Sequence, residues 1–328
     1  MMIRRRVALA AAPVLATTAR AGTAAAQGGW APDRPIRIIV PYTAGGASDI
    51  TARLIAERLR ARLGQPGVVE NRPGASGIIG TDAVAKAPPD GHTIALVASS
   101  HVVNKALFPT LPYDPIGDFA PIVKTADVQL VMVVPSSVPA RTLPDFLAWA
   151  RAQGGRTAFA SSGNGSNPHI FAADLLRRAG VEMEHVPYRG STAAHADLLA
   201  GRTQMMFDAY AAVLPHVQSG SLRMIALAGP ERSRLLPDLP TVAEGGFAGY
   251  GATSWGCLLG PAAMRPAAVA ALNAAAQAIL ATDELRERLA VMGAEPAAGT
   301  PEDLAAFMRQ EQERYVALVS ALGIKGTD

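Results

Sequence analysis

A single cysteine, Cys257, occurs in 328 residues, which excludes an intrachain disulfide; the thiol reads as a small buried hydrophobe. The histidines at 92, 101, 169, 185, 195 and 216 show no metal-ligand spacing, and no second cysteine could complete a site with them. The chain lacks a Gly-x-Ser-x-Gly elbow, a Walker A loop and a His-Glu-x-x-His pattern. A hydrolase nucleophile, a nucleotide cradle and a zinc-protease centre therefore have no sequence support. Beyond residue 15 no apolar run is long enough to span a bilayer. Charged residues are scarce at 17%, against 49% apolar, a balance that builds packed cores and argues against disorder. The length favours two domains.

The pI of about 9.2 hints at nucleic acid, but the placement of charge excludes it. The first 26 residues hold Arg4, Arg5, Arg6 and Arg20 and no acid; subtracting those four from the net +3 leaves −1. Such a remainder has no electrostatic pull on phosphate backbones. The Arg4–Arg6 cluster, the apolar Val7–Leu15 and small residues ending Ala24-Ala25-Ala26 have the order of an export signal, with cleavage expected near Ala26. The paired arginines leave general and twin-arginine export both open. No cysteine follows to take a lipid. The expected location is a bacterial periplasm.

Strand and helix signals then alternate. Ile36–Val40 is a β-branched run, and a helix is expected over Ser48–Leu63 from apolar positions 50, 54, 55 and 59, with Gly64 closing it. Val68–Glu70 predicts a short strand, residues 71–77 a small-residue loop opening a helix to about Lys86, and Pro88–Gly91 a turn. Thr93–Ala98 reads as a buried strand, with Ser99-Ser100 capping a helix over 101–107. Pro109–Pro121 predicts a loop and Val128–Val134 one apolar strand crossing between domains. A second βα series follows: helix 143–152, strand 157–160, Asn167-Pro168 as cap and first residue of a helix to Gly180, strand and turn 184–191 capped by Ser191, a helix to Gly201, and strands at 204–207 and 224–228. Thr253–Leu259 could return to the first domain, and helices 266–281 and 301–322 finish the chain, with 285–292 between. The expected class is α/β: two lobes, each a mostly parallel sheet with flanking helices, joined by a hinge. The division placed there is 27–127 plus 250–328 for one lobe and 128–249 for the other.

The strand-to-helix turns at 42–49, 74–77, 99–101, 161–167 and 188–191 are rich in Gly, Ser, Thr and Asn. In open α/β sheets ligands bind beyond the carboxyl ends of the strands, where such turns lie. Backbone N–H groups, hydroxyls and helix N-termini can hold an anion there without a dedicated arginine. The turns nominate Ser76 and Ser99. His169 stands in the first helical turn after the Asn164-Gly165 loop. Asp208 ends an apolar strand on the same edge, where it could cap a helix or meet a ligand.

At these positions the chain resembles the Bug/TctC family, the extracytoplasmic solute receptors of tripartite tricarboxylate transporters. The resemblance rests on Val40-Pro41-Tyr42-Thr43-Ala44-Gly45-Gly46 with Asp49, Glu70-Asn71-Arg72-Pro73-Gly74-Ala75, Pro89-Asp90-Gly91, Ser162-Gly163-Asn164-Gly165 with His169, His185-Val186-Pro187-Tyr188-Arg189-Gly190, and Pro240-Thr241-Val242-Ala243-Glu244. It implies a periplasmic-binding-protein fold of two lobes that capture a small organic anion and deliver it to the membrane components of such a transporter. The anion would be a mono-, di- or tricarboxylate or an aromatic acid. Neither catalysis nor a cofactor or metal is implied. First-lobe contacts would come from Thr43, Ala44 and Ser48 with Gly45 and Gly46, and second-lobe contacts from Ser162, Asn164, Gly165 and Ser166. Tyr42, Asp49 and Gly163 belong to the same loops, and Tyr188, Arg189 and Asp208 would set distal specificity. Relatives often have proline where this chain has Thr43-Ala44, and small or polar residues near Ile78-Ile79, so the apolar pair points to a less polar or aromatic ligand. Two alternatives stay open: a ligand-sensing partner of a membrane sensor kinase, and an exported enzyme acting on a small acid.

Overall fold

The computed structural model describes residues 29–326; the expected export segment, residues 1–26, lies outside the described residues. The chain begins with β1 (Ile36–Val40), α1 (Ala47–Leu63), β2 (Gly67–Asn71), a 3-10 turn (Ala75–Gly77), α2 (Ile78–Ala85), β3 (Thr93–Ala98), α3 (Ser100–Leu107) and β4 (Phe119–Val128). It continues through β5 (Leu130–Pro135), α4 (Leu143–Ala152), β6 (Ala158–Ser161), α5 (Asn167–Ala179), β7 (Glu184–Pro187), α6 (Ser191–Leu199), β8 (Met205–Ala209), α7 (Tyr210–Gln218) and β9 (Leu222–Leu227). It ends with β10 (Ser254–Pro261), α8 (Pro266–Leu280), α9 (Asp283–Val291), β11 (Ala294–Pro296) and α10 (Pro301–Leu322).

Two sheets result, ordered β11-β4-β10-β3-β1-β2 and β7-β6-β8-β5-β9. In the first, β2, β1 and β3 are parallel, and the returning β10 runs antiparallel between β3 and β4. In the second, β7, β6 and β8 are parallel and β5 is antiparallel to both β8 and β9. Both sheets are covered on both faces, so their strands read as nearly continuous apolar runs. Alternate residues of β5 show this: Met132 and Val134 face one core, Val131 and Val133 another. The first of these cores is continuous across the molecule. It joins Val97 and Cys257 of the first sheet to Met132 and Phe207 of the second through Leu107 of α3 and Tyr315 of α10.

Several expectations are corrected. The single strand over 128–134 is two strands in two sheets, because the chain breaks at Gln129, whose N–H bonds Gly293 O while its C=O receives Tyr210 N. The Pro109–Pro121 loop ends early, since β4 starts at Phe119; Pro121 is tolerated at a register shift opposite Leu259. Helix α7 fills a stretch for which no element was expected, and carries Pro215 in its interior, a residue that normally demotes a helical pattern. Ser166, not Asn167, caps α5 by accepting His169 N at 3.4 Å. Neither Ser99 nor Ser191 acts as a side-chain cap; their hydroxyls serve the site described next.

Candidate functional site

The first loop leaves β1 at Pro41. Asp49, buried in the first turn of α1, folds it back: Oδ2 accepts from Gly45 N at 2.9 Å and Arg53 Nε at 3.0 Å, and Oδ1 from Asn71 Nδ2 at 3.0 Å. The hydrogen bond from Arg53 holds this carboxyl at about 2, against the opposing effect of burial. Asp49 is thus a structural staple, and the Gly45 amide is committed to it. Gly46 starts α1 in extended conformation, and no side chain caps the helix. The Tyr42 hydroxyl accepts from Ala98 N at 2.9 Å and bonds Ser100 Oγ at 2.8 Å, while burial pushes the phenol up.

The second loop is unusual in its backbone. Ala75 and Ser76 both take positive φ, 45° and 54°, a left-handed conformation that is costly for residues with a Cβ. Asn104 Nδ2, reaching from α3 to Ser76 O at 3.1 Å, helps hold it.

The third loop follows β6. The single proton of Ser161 Oγ goes to Gly163 O at 3.0 Å, so the 2.7 Å contact to His185 Nε2 is donated by the imidazole. Gly165 N donates to His169 Nδ1 at 3.0 Å, placing that ring's proton on Nε2. The two imidazoles stack with centroids 3.6 Å apart. Burial lowers both to about 4, and for His169 the neighbouring His185 adds to the effect. A neutral histidine stack therefore underlies the 161–166 loop.

These loops converge on one cleft of about 710 Å³ between the two sheets. Its wall receives Tyr42 and Thr43 from the first loop, Ser76 from the second, Ser99 from the start of α3, and Ser162, Gly163, Asn164, Gly165 and Ser166 from the third. Asp208 joins them from β8. The N-terminal residues Gly77 (α2), Ser99 (α3), Ser166 (α5) and Ala209 (α7) all lie in this wall. Of the four helices only α5 has a side-chain cap. The first-turn amides of α2, α3 and α7 thus have no side-chain acceptor, and the positive ends of four helix dipoles point toward one space. Among the described residues no Lys or Arg lines it.

Other sequence candidates lie elsewhere. Ala44, Gly45, Gly46 and Ser48 sit on the outer part of the first loop, beyond the cavity wall. His169 is beneath the third loop. Tyr188 donates to Asp197 Oδ2 at 2.7 Å, and burial with that partner raises it to about 12. Arg189 is exposed and has no ion-pair partner among the described residues. Ile78 and Ile79 are absent from the wall, Ile79 being 58% exposed, so the inference of a less polar ligand from this pair loses its basis. Asp208 is no helix cap: its buried carboxylate receives Ser191 Oγ and His195 Nε2.

Sequence reasoning missed Asn104, Asn167 and Ser254 in the wall. Asn167 spans the cleft floor, donating to Ser99 Oγ at 2.8 Å and receiving Tyr315 OH at 3.4 Å. Its signal was hidden by the one-residue error in the cap. Asn164 Nδ2 bonds Lys325 O, and Gly326 N bonds Leu107 O, so the segment after α10 closes one side. A smaller hollow of about 350 Å³ between α5 and α10 contains Arg177, Arg178 and Arg314, but these are already paired with Asp174 and Glu311. Among the described residues no cluster of His, Cys, Asp and Glu could hold a metal ion.

Comparison with known proteins agrees with this architecture. Residues 51–324 match the model of the tripartite tricarboxylate transporter family receptor, TctC. A UPF0065 protein from the tcbD-tcbE intergenic region of Pseudomonas sp. strain P51 is 39% identical over 88% of this chain and 86% of its own. Protein BugT of Bordetella pertussis is 36% identical over 90% and 91%. The solved structure of R. palustris Rpa4515 with adipate superposes with a TM-score of 0.78 at 35% identity, covering 90% of this chain and 99% of that one. With its two sheets, its cleft of helix N-termini and these matches, the chain belongs to the TctC family of tripartite tricarboxylate transporter receptors.

Proposed function

We propose that this protein is a periplasmic receptor that encloses a small organic carboxylate between two lobes and presents it, chemically unchanged, to the membrane components of a tripartite tricarboxylate transporter. The observation that carries the reading is the convergence of the α2, α3, α5 and α7 N-termini on one cleft whose wall, among the described residues, holds no basic side chain. Oriented amides bind an anion there with neither an arginine clamp nor a nucleophile. The similar protein Rpa4515 is solved with adipate, a small organic carboxylate. Thr43 and Ser76 contact the ligand from the first lobe, and Ser162, Asn164 and Ser166 from the second. Ala44, Gly46 and Ser48 join when the lobes close and bring the uncapped α1 N-terminus inward. The lobes are 27–127 with 250–328, and 128–249, and they hinge about Gln129 and the return into β10.

The test is a thermal-shift screen on protein unfolded and refolded to strip carried ligand, against mono-, di- and tricarboxylates, amino acids, aromatic acids and neutral solutes. A ligand at about a hundred times its Kd stabilises by roughly 2.7 kcal/mol. A clear shift from one class of acid is expected. A shift from a neutral or cationic solute with silence from every acid would overturn the reading.

A further inference from the structure

Asp208 is the single charged side chain among the described residues of the cleft wall. It is 4% exposed and lies beside the crossover, where Leu130 and Val131 of β5 pair with Ala209 and Asp208. Oδ1 accepts from Ser191 Oγ at 2.8 Å and from Ala209 N at 2.8 Å; Oδ2 accepts from His195 Nε2 at 2.7 Å. His195, edge-on to His216 at 5.3 Å, donates this bond in either protonation state. A carboxylate has about four acceptor directions. Donors among the described residues fill three, and Oδ2 keeps the capacity to accept one more.

We propose that Asp208 receives an ammonium or hydroxyl group of the ligand, so that the preferred ligands are amino- or hydroxy-substituted monocarboxylates and fully ionised dicarboxylates are disfavoured. The inference rests on the receptor reading above. The helix N-termini take the ligand carboxylate, and the donor completes the Asp208 shell. A second ligand carboxylate at that wall would face a buried carboxylate with no Lys or Arg among the described wall residues to offset it. A site built around a polar partner discriminates by leaving that partner unmatched.

Titration calorimetry on refolded protein compares four-, five- and six-carbon acids in matched sets: 2-amino, ω-amino, 2-hydroxy, ω-hydroxy, unsubstituted and dicarboxylic. An amino or hydroxy acid is expected to bind about tenfold or more tighter than the dicarboxylate of equal length. Asp208→Asn should shrink that ratio about tenfold, weakening the ammonium ligand and strengthening the dicarboxylate. The wild-type series decides the matter without the variant. Dicarboxylates binding as tightly as the substituted acids would overturn this inference while leaving the receptor reading intact. Silence from every acid would remove the receptor reading, and this inference with it.

Discussion

At the residue scale the second-lobe loop depends on a few atoms. Gly165 has φ of +73°, and a Cβ there would lie 2.8 Å from Leu107 Cδ1, which reaches over from α3. Gly165→Ala therefore combines left-handed strain of about 1 kcal/mol with a contact that separates the two sides of the cleft. Ligand affinity should fall more than about tenfold, with Leu107→Ala restoring part of it; calorimetry on the single and double variants reads this directly. Asn167→Ala removes both cross-cleft bonds, to Ser99 and Tyr315, and should weaken binding with little loss of melting temperature in the free protein. The stacked pair His169 and His185 sets a pH dependence. Folding lowers both from 6.5 to about 4, so the unfolded chain binds more protons in that window. Their contribution is complete above about 6.5 and is lost as pH falls toward 4. The Asp49 contribution, with its carboxyl held at about 2, is lost only below the ordinary carboxyl value near 3.8. Melting curves between pH 7 and 4 should drop on the order of several degrees, and the drop should shrink in a His169→Asn, His185→Asn double variant.

At the element scale α10 ties the sides of the cleft together. Its start is fixed by Pro301 and a capping box in which Thr300 and Asp303 satisfy each other's backbone N–H. Its middle carries Glu311, 7% exposed, which accepts from Trp255 Nε1 of β10 and binds Arg314; Arg314 in turn donates to Gly251 O. Glu311→Ala strands both donors and should cost about 2 kcal/mol in urea unfolding, with Glu311→Gln recovering part. The bounds of α10, β1, β3 and α4 were legible from local sequence signals. What escaped was set by tertiary pairing. β4 carries Pro121 and stands only because β10 and β11 flank it. β11 is three residues long, and α7 contains Pro215. The glycine- and serine-rich loops were legible as a candidate site because their composition reflects the turns they make. That Asp49 faces its own loop, and that Asn104 and Asn167 reach the cleft, depends on side-chain directions that composition does not carry.

At the scale of the whole molecule, a core continuous from Val97 through Leu107 and Tyr315 to Phe207 joins the two sheets. A ligand that touches loops from both sheets favours the closed arrangement by its differential affinity for it. Small-angle scattering should show a smaller radius of gyration with saturating acid than without, and no such change for Gly165→Ala at the same ligand concentration. The central claim is that a carboxylate sits where the helix N-termini converge. The most direct measurement is a crystal structure of the refolded protein with the tightest-binding acid from the screen. The account predicts a ligand carboxylate within hydrogen-bonding distance, directly or through one water, of backbone N–H or hydroxyl groups in both the 43–48 and 162–166 loops. An acid bound outside this cleft, or held there by Lys or Arg side chains, would contradict it.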